Sequence, residues 1–263
     1  MKLITPKRNF SFPKLFIGLL FFAAIFSCQK ELHFDKAPEI DHNIILKFKP
    51  VVQYDSIPLV FGKTYTNYFK EKYSPTAFKF YVHAFAMINV DSNKVFRTAA
   101  DKYYLVDFAD SASTEIKIAI LPYVYNRISF TIGVDSAQNV SGAQTDALDP
   151  AKGMFWNTTN GYIMAKLEGT SSAGNFQYDI GGFQGANNVI KTVTLLFPYA
   201  QNLDLKPGKT SEMFITADAN DWFYNPHDIK IAANPVITTP GNLATQVAEN
   251  YSKMFTVDSV ANQ

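Results

Sequence analysis

From Asn43 onward the chain breaks into short apolar runs separated by turn residues, the layout of a β-rich domain. The runs are Ile44–Lys49, Ala77–Ile88, Tyr103–Phe108, Glu115–Leu121, Arg127–Val134, Gly161–Glu168, Val189–Phe197 and Ser211–Ala219. Several alternate with a period of two. In Arg127–Val134 the apolar positions are Ile128, Phe130, Ile132 and Val134, which describes a strand with one face in a core. Glu115–Ile120 repeats the pattern. No helical crossover separates the runs, so the spacing predicts an all-β, β-sandwich-like antiparallel domain and argues against parallel pairing. A short C-terminal helix is predicted over Asn242–Phe255, where Leu243, Val247, Tyr251 and Met254 recur at helical spacing behind Pro240-Gly241. The pattern lapses in one long central loop, Asp135–Trp156.

Before the first strand the chain reads differently. Lys2, Lys7, Arg8 and Lys14 form a basic leader, and Leu15–Phe26 follows without a charge. That run is too short to span a bilayer, which needs about 20 apolar residues, and suits the apolar core of a signal peptide. It ends in Ile25-Phe26-Ser27-Cys28, which looks like a lipobox, and Cys28 is the single cysteine of the chain. The expected organisation is a lipoprotein signal over residues 1–27 and a tether over 28–42 that begins at the lipidated Cys28. A domain over 43–263 follows. Acyl chains such as palmitate on Cys28 would hold the domain to a membrane outside the cytoplasm. Gln29-Lys30-Glu31-Leu32 resembles the charged signals that direct lipoproteins to the outer membrane of some Gram-negative bacteria.

Composition narrows the function. Aromatic residues make up 15% of the chain, an enrichment that suits strands. The whole chain has 24 basic and 23 acidic residues, so removal of the leader leaves a slightly acidic domain. This is no footprint for nucleic acid. With one cysteine, neither an intrachain disulfide nor a thiolate metal site can form, and stability rests on the core.

Candidate chemistry is sparse. Asp135, Asp146 and Asp149, with Gln138, Asn139, Ser141 and Gln144, give the 135–149 stretch enough oxygen donors for Ca²⁺, though not at EF-hand spacing. The other reading is a loop folded on itself by Asx turns, with Leu148 and Met154 as plugs. For transition metals the candidates are His83 in a strand and His227 in an aromatic turn, His33 and His42 lying in the tether. Gly181-Gly182 reads as a bulge or tight bend. No nucleophile elbow, zinc-protease helix or phosphate-binding loop is found, so no enzyme activity is expected.

The unusual residues carry a family resemblance. The string Ile128–Ser136, then Gly142-Ala143-Gln144, Ala147-Leu148-Asp149-Pro150 and Gly153-Met154-Phe155-Trp156 resembles the MbnP-like family. So do Gly161-Tyr162-Ile163, Lys166-Leu167-Glu168-Gly169, Ile180-Gly181-Gly182-Phe183 and Met254-Phe255-Thr256-Val257-Asp258. The resemblance implies an exported β-sandwich-like domain associated with methanobactin and copper handling. It also implies a partner, a dihaem protein of the cytochrome c peroxidase type that oxidises a tryptophan, for which Trp156 is the candidate. Where relatives carry ligand histidines this chain has Asp179, Ser259 and Pro50-Val51, and Thr158 replaces a second tryptophan. The metal candidates are therefore His83, His227 and Asp179, with copper as the implied metal. Two functions stay open: metal handling in the envelope, and an interaction module that kept the scaffold and lost the metal site.

Overall fold

A computed structural model describes residues 30–31, 42–52, 57–205 and 209–262. The expected signal peptide, Cys28, His33 and most of the expected tether lie outside the described residues. The main strands are β1 (His42–Val52), β2 (Lys72–Asn89), β3 (Lys94–Arg97), β4 (Tyr104–Asp107), β5 (Glu115–Ile120) and β6 (Arg127–Ile132). Helix α1 (Ser136–Val140) precedes β7 (Phe155–Asn157), β8 (Gly161–Ser171), β9 (Gly174–Gly181), β10 (Lys191–Leu196) and β11 (Thr210–Asp218). Helix α2 (Asn242–Tyr251) and β12 (Phe255–Ala261) close the chain. His42, placed in the tether by its sequence context, opens β1 and is buried.

Two sheets face each other. The larger is organised around the 18-residue β2. One of its edges pairs first with β8 and then with β6, while the other pairs with β4 and β3. β9 adds to β8, and β10 to β6. The smaller sheet runs β12, β11, β1, β5. The sandwich is as expected, but the sheets are mixed: β11 and β1 pair in parallel from Thr210↔Asn43 to Asp218↔Val51. No helical crossover is required, because the chain between these strands builds the opposite sheet before returning.

Aromatic rings fill the space between the sheets. Phe48 of β1 meets Phe80 of β2 at 5.8 Å and Phe130 of β6 at 6.0 Å between centroids. Phe255 closes on both, at 5.2 Å from Phe80 and 5.1 Å from Phe130. Such edge-to-face pairs add to the burial of their area. This packing explains why the predicted C-terminal helix is too long by one turn. It stops at Tyr251, and Phe255 begins β12 opposite Ala217, where its ring can enter the core.

β2 changes parity along its length. Phe78 and Phe80 face the interior, and so do Phe85 and Met87 beyond a bulge at Ala84, which has φ 50°. Lys79, Tyr81 and His83 share the opposite, outer face, which the Asp135–Trp156 segment covers. That segment is not a structureless loop: it holds α1, two single-turn helices and β7. Leu148 and Met154 are buried beneath it, as the plug reading expects.

Candidate functional site

The outer face of the larger sheet collects nearly all the chemistry that the sequence suggests. Its cover is fastened by Asn139, whose side chain is fully buried. The amide donates to the carbonyls of Val134 and Asp135 at 2.7 and 2.9 Å and accepts from the Tyr162 N–H at 2.7 Å. Gly161, at φ 71°, leaves the space that this side chain enters. The Tyr162 hydroxyl then donates to the Leu148 carbonyl at 2.8 Å. The oxygen-rich residues between are engaged locally. Asp135 caps α1 through the Gln138 N–H and accepts the Tyr103 hydroxyl, and Asp149 caps the turn at Ala151. The Ser141 hydroxyl and Gln144 amide donate to backbone carbonyls.

Under this cover lies His83. Its Nδ1 is 2.9 Å from the Ala100 carbonyl and its ring lies 4.6 Å from that of Tyr103. Burial lowers its pKa, and the carbonyl contact and nearby Asp135 only partly oppose this, so the ring is neutral at pH 7. With the proton on Nδ1, the buried Nε2 has a lone pair and no hydrogen-bond partner. Tyr81, two residues earlier on the same face, likewise has a buried hydroxyl without a partner.

Farther along that face, charges form a row. Asp107, Lys79, Lys166 and Asp179 are successive Cα partners across β4, β2, β8 and β9. Lys79 pairs with Asp107 at 2.8 Å, and the Lys166 ammonium sits 2.6 Å from both Asp179 and Glu168. Burial works against that ammonium, but hydrogen bonds to Asp179 and Glu168 outweigh it and hold its pKa above the usual lysine value. Gln177 donates to the other Asp179 oxygen at 2.7 Å. Trp156 lies over Gly181, two residues along β9 from Asp179. A Cβ on Gly181 would come 2.5 Å from its indole ring, so the glycine at this position is what seats the tryptophan. Gly182, at φ 128°, completes the bend read from the sequence.

The metal candidates do not converge. His83 and Asp179 are two strands apart and four residues out of register, roughly 16 Å between Cα atoms by strand geometry. His227 belongs to another part of the molecule, a loop clamped to α2. Its N–H bonds Asn250 at 2.9 Å and its Nε2 approaches Glu249 at 2.5 Å. Among the described residues no three His, Cys, Asp or Glu side chains gather in a metal-holding group. Two adjoining cavities of about 350 and 320 Å³ open beside Tyr103 and share Asp146 and Ala147 in their walls, a feature the sequence did not suggest.

Against known proteins, residues 41–240 match the family model described as MbnP. The chain belongs to the MbnP family. Among solved structures it is similar to MbnP from Methylosinus trichosporium, at 15% identity and a TM-score of 0.47. That similarity covers 84% of this chain and 98% of the other. No curated protein matches it.

In this member of the MbnP family, the positions at which the resemblance implies ligands lie on both sheets. Asp179 is on the outer face of the larger sheet. Ser259 lies in β12 opposite Phe214, and Pro50-Val51 in β1 opposite Ala217 and Asp218. Thr158 follows β7 in an exposed turn. An imidazole copper site does not fit the residues present at position 179, because a lysine ammonium already neutralises the carboxylate there.

Proposed function

We propose that this chain is a lipid-anchored, non-catalytic member of the MbnP family that serves in the cell envelope as a binding or docking module. In it the ligand position of its relatives has become a structural ion pair. The observation that carries this reading is Lys166 between Asp179 and Glu168, two residues along β9 from the glycine that seats Trp156. A cation brought to Asp179 would have to displace an ammonium held by two carboxylates.

A second reading, metal handling with a dihaem peroxidase-type partner that oxidises Trp156, is favoured by His83. A neutral imidazole oriented through Nδ1 by a backbone carbonyl, with Nε2 unpartnered, is how proteins prepare a histidine ligand. Calcium in the 135–149 segment is a weaker variant, since Asp135 and Asp149 are already spent on caps.

Copper titration of the purified domain, with bound metal measured by mass spectrometry, separates the two. The module reading expects no binding above that of a variant lacking His83 and His227. Tight one-to-one binding that weakens in His83→Ala would overturn it. In Lys166→Met, which frees the Asp179 carboxylate, weak divalent-cation binding should appear if the ion pair is what closes the position.

A further inference from the structure

Lys30–Glu31 pairs in parallel with the start of β3, in the register Lys30↔Lys94 and Glu31↔Val95. Lys30 lies two residues after Cys28, so at most about 7 Å of extended chain separates it from the anchor. With one strand spacing added, the acylated residue can be no farther than roughly 12 Å from Lys94. A lipid attached there draws the membrane against one particular end of the domain.

That end is where the β2–β3 turn meets two other loops. Asn126 ties them together: its Oδ1 accepts the Val90 N–H at 3.1 Å, its Nδ2 donates to Asp91 at 3.0 Å, and its carbonyl accepts the Phe197 N–H at 3.3 Å. The Tyr123 hydroxyl bonds Ser92 from the same side, and Leu203 pairs with Tyr125. Three of the large apolar side chains left exposed are on this end: Val90, Leu196 and Tyr199. Tyr199 is 93% exposed and is held at φ 54°, in the left-handed region that bulky residues rarely occupy. At that exposure no described residue packs on its ring. Lys94 and Arg127 stand nearby. Aromatic and apolar tips backed by cations are what a lipid headgroup region accommodates.

We infer that the end formed by Val90, Leu196 and Tyr199 is a membrane-contacting surface, seated in the headgroup layer by the lipid on Cys28. The inference rests on the lipoprotein reading given above and extends it by assigning an orientation. The Ser171–Gly174 hairpin, at the far end of β2, then points away from the bilayer. Tyr73, which pairs with Ser171, is roughly 53 Å from Asn89 along that strand. Trp156 and the cover over the outer face then lie on the aqueous side, available to a partner.

Spin labelling of the lipidated full chain tests this. The native cysteine is consumed by the anchor, so Tyr199→Cys, Val90→Cys and Ala173→Cys each introduce one free thiol for a nitroxide. The proteins are reconstituted in phosphatidylethanolamine–phosphatidylglycerol vesicles, with folding checked by circular dichroism and the acyl mass confirmed on Cys28. Labels at 199 and 90 should collide more with oxygen than with a water-soluble nickel chelate, and the label at 173 should show the reverse order. If a lipid is present but positions 199 and 90 are as open to the chelate as 173, the assigned orientation is wrong. If no lipid is found on Cys28, the anchor reading itself falls and takes the orientation with it.

Discussion

The two faces of β2 are built on different principles. Its inner face presents Phe78, Phe80, Val82, Phe85 and Met87 to a core of rings and branched side chains, where nothing needs a specific partner and volume is what matters. Its outer face presents Lys79, Tyr81 and His83 to a cover stitched on by hydrogen bonds, where each buried polar atom must be matched or left at a cost. One strand therefore carries a face that makes the fold stable and a face that makes it particular. The outer face tolerates the unusual features: an imidazole nitrogen and a phenol without partners, and an ion pair at a position where the family resemblance implies a ligand.

The largest effect should come from the inner face. Phe80→Ala removes a ring that touches Phe48, Phe78 and Phe255, and should cost about 3–5 kcal/mol in a urea unfolding titration. A loss under 1 kcal/mol would mean that the core can collapse around the gap. On the outer face, Asn139→Ala strips partners from two buried carbonyls and from the Tyr162 N–H, and should cost about 2 kcal/mol. Hydrogen exchange at Tyr162 should quicken more than exchange at Phe80, because the cover loosens before the sandwich opens. Equal acceleration at both would erase the distinction between the two faces.

The smallest effect has the opposite sign and tests a third environment, the turn after β11. Burial, reinforced by the Asp218 charge and only partly opposed by Lys253, pushes the Asp221 carboxyl up to about 7. In the unfolded chain it ionises near pH 3.9, at the ordinary aspartate value of about that figure. The folded state therefore binds the extra proton between these values, and stability from this group is full at low pH and falls as pH rises toward 7. Between pH 5 and 7 that shift would amount to roughly 2.7 kcal/mol unscreened. Solvent screening at this half-buried carboxyl leaves about 1 kcal/mol, the decline that Asp221→Asn should remove between pH 5 and pH 8. Parallel pH profiles for the two proteins would refute the assignment.

Several strands were legible because their alternation is strict. Glu115–Ile120 alternates exposed and buried residues as its sequence alternates polar and apolar ones. The same signal is present in Asn175-Phe176-Gln177-Tyr178-Asp179-Ile180 but is masked by the Gly181-Gly182 bend that follows it directly. β12 was hidden differently: Met254 and Phe255 continue the helical spacing of α2, so local periodicity favoured the wrong element. Of the two readings of the Asp135–Trp156 segment, the self-folded loop was legible in its Asp and Asn residues, which cap and fasten its turns.

The amino-acid sequence by itself settled the class of fold and the family, and its resemblance implied the positions of departure, because alternation, turn chemistry and motif are local properties. Only the tertiary structure could decide what surrounds those positions. The pairing of Asp179 with Lys166, the seating of Trp156 on Gly181, the isolation of His83 from His227 and the parallel return of β11 beside β1 all join residues far apart in the chain. Such contacts depend on strand register, and register is fixed by the packing of both sheets at once, not by any one segment.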